Sequence, residues 1–405
     1  MNRTDRLDQK TILIPYMCDH VYALGAALTA HGIPHHVLPR TTDESLDLGL
    51  DSAGGKECLP CLASTGDVIR FMRNSDIDPG SAVVLIPTAS GPCRLGQYRT
   101  LQRQILDRHG YGELDILSPS GSNSYRGFGA RPVQLRALAW QGFLAVDTLQ
   151  KLLHAHRPYE AHSGQTDRLY ANVLERVLIA LRDGGGKALY RTMELIGRRF
   201  EELPQDRGEQ RPLIGLVGEF YLRFNEYSNQ QVIRKLEKGG AEVVLASFVE
   251  WIYFTNWAVK CYAWYHNMFK ELAGITLTDI YQRRVERNII GPVEHLLPYP
   301  AETPISTLMQ HIVPYYEPFL GTEAVLSMGK AIDYAQHGLA GIVNVMPFTC
   351  MPGIVVAGMA PFISRDLDNI PWLDVAYDGQ GGTNLNTRLE AFIFQAQQFT
   401  RRHPA

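Results

Sequence analysis

Ala82-Val-Val-Leu-Ile86 is the stretch that most constrains the fold: an unbroken apolar run, shorter than a buried helix and lacking the alternation of a strand with one wet face. It reads as a strand buried on both faces, which requires a parallel sheet covered by helices. Its neighbours agree. Thr11-Ile-Leu-Ile-Pro15 is a strand, Val21 to His31 has the spacing of an amphipathic helix, Val37-Leu38 begins another strand, and Gln97 to Arg108 is helical. Strand and helix alternate, as in βαβ units.

From Pro132 to Phe200 the strand signals vanish and the apolar spacing becomes helical, with Gly184-Gly185-Gly186 and the polar run Pro204 to Arg211 as linkers. Strands return at Leu213-Ile-Gly-Leu-Val217, Val243-Val244-Leu245, Gly341 to Val345 and Trp372-Leu373, with helices near Gln230 to Gly239 and Asn386 to Arg401. Trp251 to Tyr281 is aromatic-rich and helical in pattern. The expected fold class is α/β: an N-terminal unit over 1–131, a helical insertion over 132–205, and a second α/β unit over 206–405 with helical additions. A chain of 405 residues exceeds one hydrophobic core, so several packed units are expected.

Lys and Arg total 39 against 42 Asp and Glu, which gives no pull toward nucleic acid. Met1 to Lys10 is polar and lacks the apolar core of a secretory signal, so a cytoplasmic location is expected. Gly341 to Ile363 is long and apolar, but Pro347, Pro352 and Pro361 disfavour a lipid-exposed helix; a buried strand, a loop and a buried helix fit better.

The six cysteines stand at 18, 58, 61, 93, 261 and 350, too few for a disulfide scaffold. Cys58 and Cys61 are two residues apart at a helix start, a spacing that serves a metal, a dithiol pair or a plain buried position equally. Cys93 follows the strand ending at Ile86, Cys350 follows the strand Gly341 to Val345, and Cys18 follows Pro15. Ligands of open α/β sheets bind beyond the carboxyl ends of strands, so this placement favours a shared site. Four thiolates from distant loops suit an iron–sulfur cluster better than structural zinc, which takes close pairs from one small module. Cys261, in an aromatic helix, reads as core filler, and Cys18 as a ligand or a buried thiol. Glu219 and Asn225 either line a pocket or belong to a helix cap, and Asp378 and Gln380 either form a ligand loop or a turn before the last helix. No phosphate-binding G-x-x-x-x-G-K-[ST] and no G-x-G-x-x-G occurs, so the chain carries no evident nucleotide site of its own.

Together, Glu57-Cys58-Leu-Pro-Cys61, Gly91-Pro-Cys93-Arg94-Leu-Gly-Gln97-Tyr98 and Pro347-Phe-Thr-Cys350-Met-Pro-Gly353 resemble the relatives of 2-hydroxyacyl-CoA dehydratase subunits, including the downstream part of long chains that begin with an acyl-CoA dehydratase activase domain. Val217-Gly-Glu219-Phe-Tyr-Leu-Arg223-Phe-Asn225, Tyr377-Asp-Gly-Gln380 and Thr387-Arg-Leu-Glu-Ala-Phe392 fit the same group. The resemblance implies two Rossmann-like units with a 4Fe-4S cluster held between them, or a double-cubane cluster if Cys18 joins. Cys61, Cys93 and Cys350 match the family's ligands, and Cys58 is an additional thiol. It also implies an ATP-dependent activase as electron donor, with Lys56 and Arg94 beside the ligands easing the added charge. The expected role is reduction of a small substrate or partner; the alternatives are a dehydratase subunit acting on an acyl-CoA, as part of a homo- or hetero-dimer, and a non-catalytic zinc scaffold.

Overall fold

The computed structural model describes residues 10–54, 56–89, 91–119, 132–208, 210–299, 302–380 and 384–403. Its order is β1 (Thr11–Ile14), α1 (His20–Ala30), β2 (His35–Val37), α2 (Asp43–Asp51), α3 (Leu59–Arg73), β3 (Ala82–Leu85), α4 (Tyr98–Arg108) and β4 (Asp115–Leu117), then α5 (Pro132–His156), α6 (Gln165–Arg182) and α7 (Lys187–Glu201). There follow β5 (Leu213–Gly218), α8 (Phe220–Phe224), α9 (Val232–Lys238), β6 (Glu242–Leu245), α10 (Glu250–Tyr265), α11 (Phe269–Ile290), α12 (Ile305–Ile312), α13 (Thr322–Gln336), β7 (Gly341–Pro347), α14 (Met351–Asp366), β8 (Trp372–Tyr377) and α15 (Leu385–Arg402).

The strands form two four-stranded sheets, ordered β2-β1-β3-β4 and β6-β5-β7-β8, with every pairing parallel. The fold is thus the expected α/β architecture with two similar doubly wound units. In each, the chain steps outward from its first strand and then returns across it, so the winding reverses between β1 and β3 and between β5 and β7. The carboxyl edge at such a reversal is where sheets of this kind bind ligands. β3 and β7 are buried along their whole length, which is why they read as continuous apolar runs.

The helices of the 132–205 segment do not stand apart. Leu144, Leu149, Val177 and Met193 share one core with Ile12, Ile14 and Val83 of the first sheet and with Ile289, Leu308 and Val325 of the second unit. Removing such a side chain from water stabilises by about 1.5–3 kcal/mol, so this common core holds the parts together. The long apolar stretch splits into β7 and α14. Pro352 sits in the first turn of α14, where its missing N–H costs nothing, and Pro361 lies inside the helix without ending it. Among the described residues no helix is long and apolar enough to cross a membrane. Trp251 to Tyr281 divides into α10 and α11 at Asn267, whose φ is 57°.

α3 is held tightly against α2. A Cβ on Gly66 would lie 1.7 Å from the carbonyl oxygen of Ser45, and one on Gly49 would lie 2.2 Å from that of Leu62, so the two backbones meet only because both positions are glycine. This contact fixes the start of α3, where Cys58 stands.

Candidate metal centre at the seam of the two sheets

All four strands at the two reversals of strand order lead into a candidate residue: β1 into Cys18, β3 into Cys93, β5 into Glu219 and β7 into Cys350. Three thiols share one local design. Cys58 is the N-cap of α3 with Pro60 in the first turn, Cys350 is the N-cap of α14 with Pro352 in the first turn, and Cys93 caps the short 3-10 turn Arg94–Gln97 that leads into α4. The sulfur of Cys350 accepts the N–H of Gly353 at 3.4 Å, and that of Cys93 accepts the N–H of Leu95 at 3.5 Å. Gly353 is required: a Cβ there would lie 2.6 Å from Met346. Each sulfur therefore sits at a helical N-terminus, whose dipole favours an anionic ligand.

These segments, far apart in sequence, come together at the seam. Arg94 donates from Nη1 to the carbonyl of Lys56 at 2.6 Å and to Oγ1 of Thr349 at 3.2 Å, tying the Cys58 and Cys350 loops to the Cys93 loop. Asn225 donates to the carbonyls of Tyr16 and Met17 at 3.5 and 3.4 Å, joining the carboxyl edges of the two sheets. Gly379 packs on Leu59 at the first turn of α3, which brings the 377–380 loop alongside.

The electrostatics place the groups in one another's fields. Burial pushes the Cys58 thiol well up from its ordinary value, with Glu219 and then Cys93 and Cys61 adding to the effect, while the hydroxyl of Tyr98, hydrogen-bonded to it, opposes. Burial raises Cys350 likewise, followed by Glu219, with Cys58 and Glu323 contributing. Cys93 is raised by burial, then by Glu323 and Glu219, against Arg94. Cys58, Cys93, Cys350, Glu219 and Glu323 thus form one polar group at the seam.

The other expected residues fall into place around it. Cys61 lies one helical turn on, buried in the core beside Ile69 and Leu106, its thiol pushed up to about 12 by burial and hydrogen-bonded to Thr65. It adjoins Cys58. Cys18 is engaged elsewhere: its sulfur is 3.3 Å from Nδ1 of His20, whose Nε2 is 3.0 Å from Oδ1 of Asp147. Glu219 caps α8 through the N–H groups of Tyr221 and Leu222 and stays half-buried beside the thiols. Asn225, buried, ties the two units together. Lys56 and Arg94 are exposed beside the thiols. Asp378 and Gln380 are exposed, with Asp378 accepting the N–H of Gln380 in a local turn; residues 381–383 of that loop lie outside the described residues. Cys261 is not core filler. It is partly exposed on the α10–α11 hairpin, beside the exposed Tyr262 and Trp264, because that helix pair turns an aromatic flank outward.

Sequence reading missed Glu323, which arrives from the first turn of α13 more than two hundred residues from Cys93. Its one local signal is structural: Thr322, a β-branched residue, holds φ at 68° and lies against the Gly91 loop, 4.0 Å from where a Cβ of Gly91 would stand.

Among the described residues no three His, Cys, Asp or Glu side chains lie close enough to hold a single metal ion. An iron–sulfur cubane takes each thiolate on a different iron, so this donor set of buried and half-buried thiols at helix N-termini fits it.

Burial holds the Glu323 carboxyl up to about 8, with Glu219 adding, and that of Glu250 up to about 7, against an ordinary 4.5. Over that interval the folded chain binds more protons than the unfolded one, so these groups stabilise it at low pH and their contribution is lost as pH rises through 7 and 8. His154 and His156 act oppositely, because burial holds both below 6.5, but their change is complete by about that pH. The thermal midpoint of the metal-free protein is expected to fall between about pH 6.5 and 8.5, each carboxyl contributing at most about 1.4 kcal/mol per pH unit. Calorimetry in matched buffers checks this; a rising midpoint would contradict the burial of these acids.

Comparison with known protein families finds no family that matches this chain, and none of the curated proteins matches it.

Proposed function

We propose that this chain is a cytoplasmic iron–sulfur protein of the 2-hydroxyacyl-CoA dehydratase type, which accepts low-potential electrons from an ATP-dependent activase and passes them to a small substrate or partner. The observation that carries this reading is the meeting of Cys58, Cys93 and Cys350 from three distant segments at the seam of two parallel sheets. When bound, an iron–sulfur cluster supplies a one-electron store in a largely apolar setting. Cys58, Cys93 and Cys350 would hold it, with Cys61 adjoining. The chain's own residues do the rest. Tyr98 orients the Cys58 sulfur, Arg94 ties the three ligand loops, and the helix N-termini offset part of the negative charge. The half-buried carboxyls of Glu219 and Glu323 make further negative charge costly at this site, which supports an energised donor such as an activase.

Protein isolated anaerobically is expected to be brown and to carry iron with acid-labile sulfide, and paramagnetic resonance should report its reduction only when an activase of the family and ATP are both supplied. A colourless protein holding zinc and no sulfide would sink the reading in favour of a zinc scaffold. Full reduction by a weak donor without ATP would remove the activase from it.

A further inference from the structure

Behind the thiols lies a set of buried charged groups that the site itself does not use. Arg223, 2% exposed, stands 3.5 Å from Glu323 and 3.8 Å from Glu250. On its other side Glu250 is 3.5 Å from Nζ of Lys330, which also reaches Glu302 at 3.0 Å and Asp333 at 3.6 Å. Lys330 donates to the hydroxyl of Tyr299 at 3.4 Å, and Tyr299 donates to Asp333. Asp333 is 3.5 Å from Nδ1 of His337, whose side chain is more than half exposed. Lys151 pairs with the far oxygen of Glu302. Ion-pair contacts of 3.8 Å or less link these groups from His337 at the surface to Glu323 near Cys93, with Glu250 held on both sides by ion pairs alone.

Two features set this array apart from an ordinary buried ion pair. Its charges do not balance: the carboxyls of Glu219, Glu250, Glu302, Glu323 and Asp333 are five, against three cations, Arg223, Lys330 and Lys151. Two uncompensated negative charges in the interior are expensive, so about two of these acids hold protons near neutrality. Glu250 is also loosely held: both of its carboxylate oxygens are buried and, among the described residues, neither has a hydrogen-bond partner. A well-made structural ion pair would close those gaps. The groups facing Glu250 are Arg223 from α8, Glu323, Lys330 and Tyr334 from α13, and Glu302 from the segment before α12. On the α11 side, Glu286 is occupied by Arg283 and Tyr253, and α12 carries His311 alone among titratable residues.

We propose that this array is a proton path and store, by which a proton entering at His337 and Asp333 comes to rest on Glu250 when the cysteine site gains an electron. The inference rests on the reading that the thiols hold an electron-carrying cluster. The electron comes from an external one-electron donor of low potential. The proton comes from solvent and forms one O–H bond on the Glu250 carboxylate, so the net charge of the interior is unchanged. Arg223 lies between the two: the new negative charge at the thiols adds to the negative field at Glu250, against the fixed support of Arg223, and so favours its protonated form. That Glu250 is held up to about 7 makes it available for this at neutral pH.

Anaerobically prepared holoprotein tests it. Iron and sulfide are quantified first; their absence overturns the reading of the site, and this inference with it, before any titration is run. The midpoint potential is then measured between pH 7 and 9. One proton per electron makes the reduction equilibrium change tenfold per pH unit, or about 59 mV for a one-electron couple. Wild-type protein is expected to approach that slope, and Glu250→Gln, with wild-type iron content, to lose most of it. In parallel, infrared difference spectra of wild-type protein should gain a protonated-carboxyl band on reduction that shifts in deuterated water, a readout independent of whether the variant folds. A pH-independent midpoint in the wild type, an unchanged slope in Glu250→Gln, or no carboxyl band would overturn the proposal.

Discussion

Serine in place of Cys58, Cys93 or Cys350 is expected to strip most of the iron and sulfide from anaerobically isolated protein, while Cys261→Ser leaves both at wild-type levels. The three thiols stand in one another's fields at converging helix N-termini, whereas Cys261 lies on a partly exposed hairpin. Serine keeps the volume and the capping ability of cysteine, so the helices should persist and the loss should be confined to the site. Cys61→Ser is the discriminating variant. The resemblance makes Cys61 the matching ligand and Cys58 the additional thiol, yet the structure turns Cys61 to Thr65 in the core and sets Cys58 with Cys93 and Cys350. A smaller loss for Cys61→Ser than for Cys58→Ser is therefore expected. Iron analysis with paramagnetic resonance decides it, and full iron in Cys350→Ser would mean that the two sheets do not share the site.

The second large effect falls on stability. Lys330 is 1% exposed and serves Glu250, Glu302 and Asp333 at once. Lys330→Met keeps the bulk of the side chain but leaves Glu302 with Lys151, Glu250 with Arg223, and Asp333 with Tyr299, Thr303 and His337. Removing one partner of a buried ion pair costs about 3–5 kcal/mol, because the remaining charge is neither solvated nor paired. A large drop in the thermal midpoint, or insoluble expression, is expected. Adding Glu250→Gln should restore part of the loss, since the two residues are in contact and their effects do not add. If Lys330→Met unfolds within about 1 kcal/mol of wild type, the array is not ionised as drawn here.

The alternation of apolar runs with helical spacing determined the fold class and the order of elements, because residues 82–86 and 341–345 cannot be stable unless both faces are covered. The grammar of strand followed by cysteine was also local, and it marked Cys93 and Cys350 as edge residues. Two things were beyond its reach. Which thiols meet depends on where α3 begins and how it lies, and that is decided by the backbone contact of Gly49 and Gly66 with α2, a pairing of positions that no periodicity reveals. The charges behind the site are equally hidden. Lys330, Glu250 and Glu323 sit in helical patterns where lysine and glutamate normally face water. Only the packing of α8, α10 and α13 around a common core puts them out of solvent and within reach of one another, because a charge is buried by what the rest of the chain lays over it and not by its own neighbours in sequence.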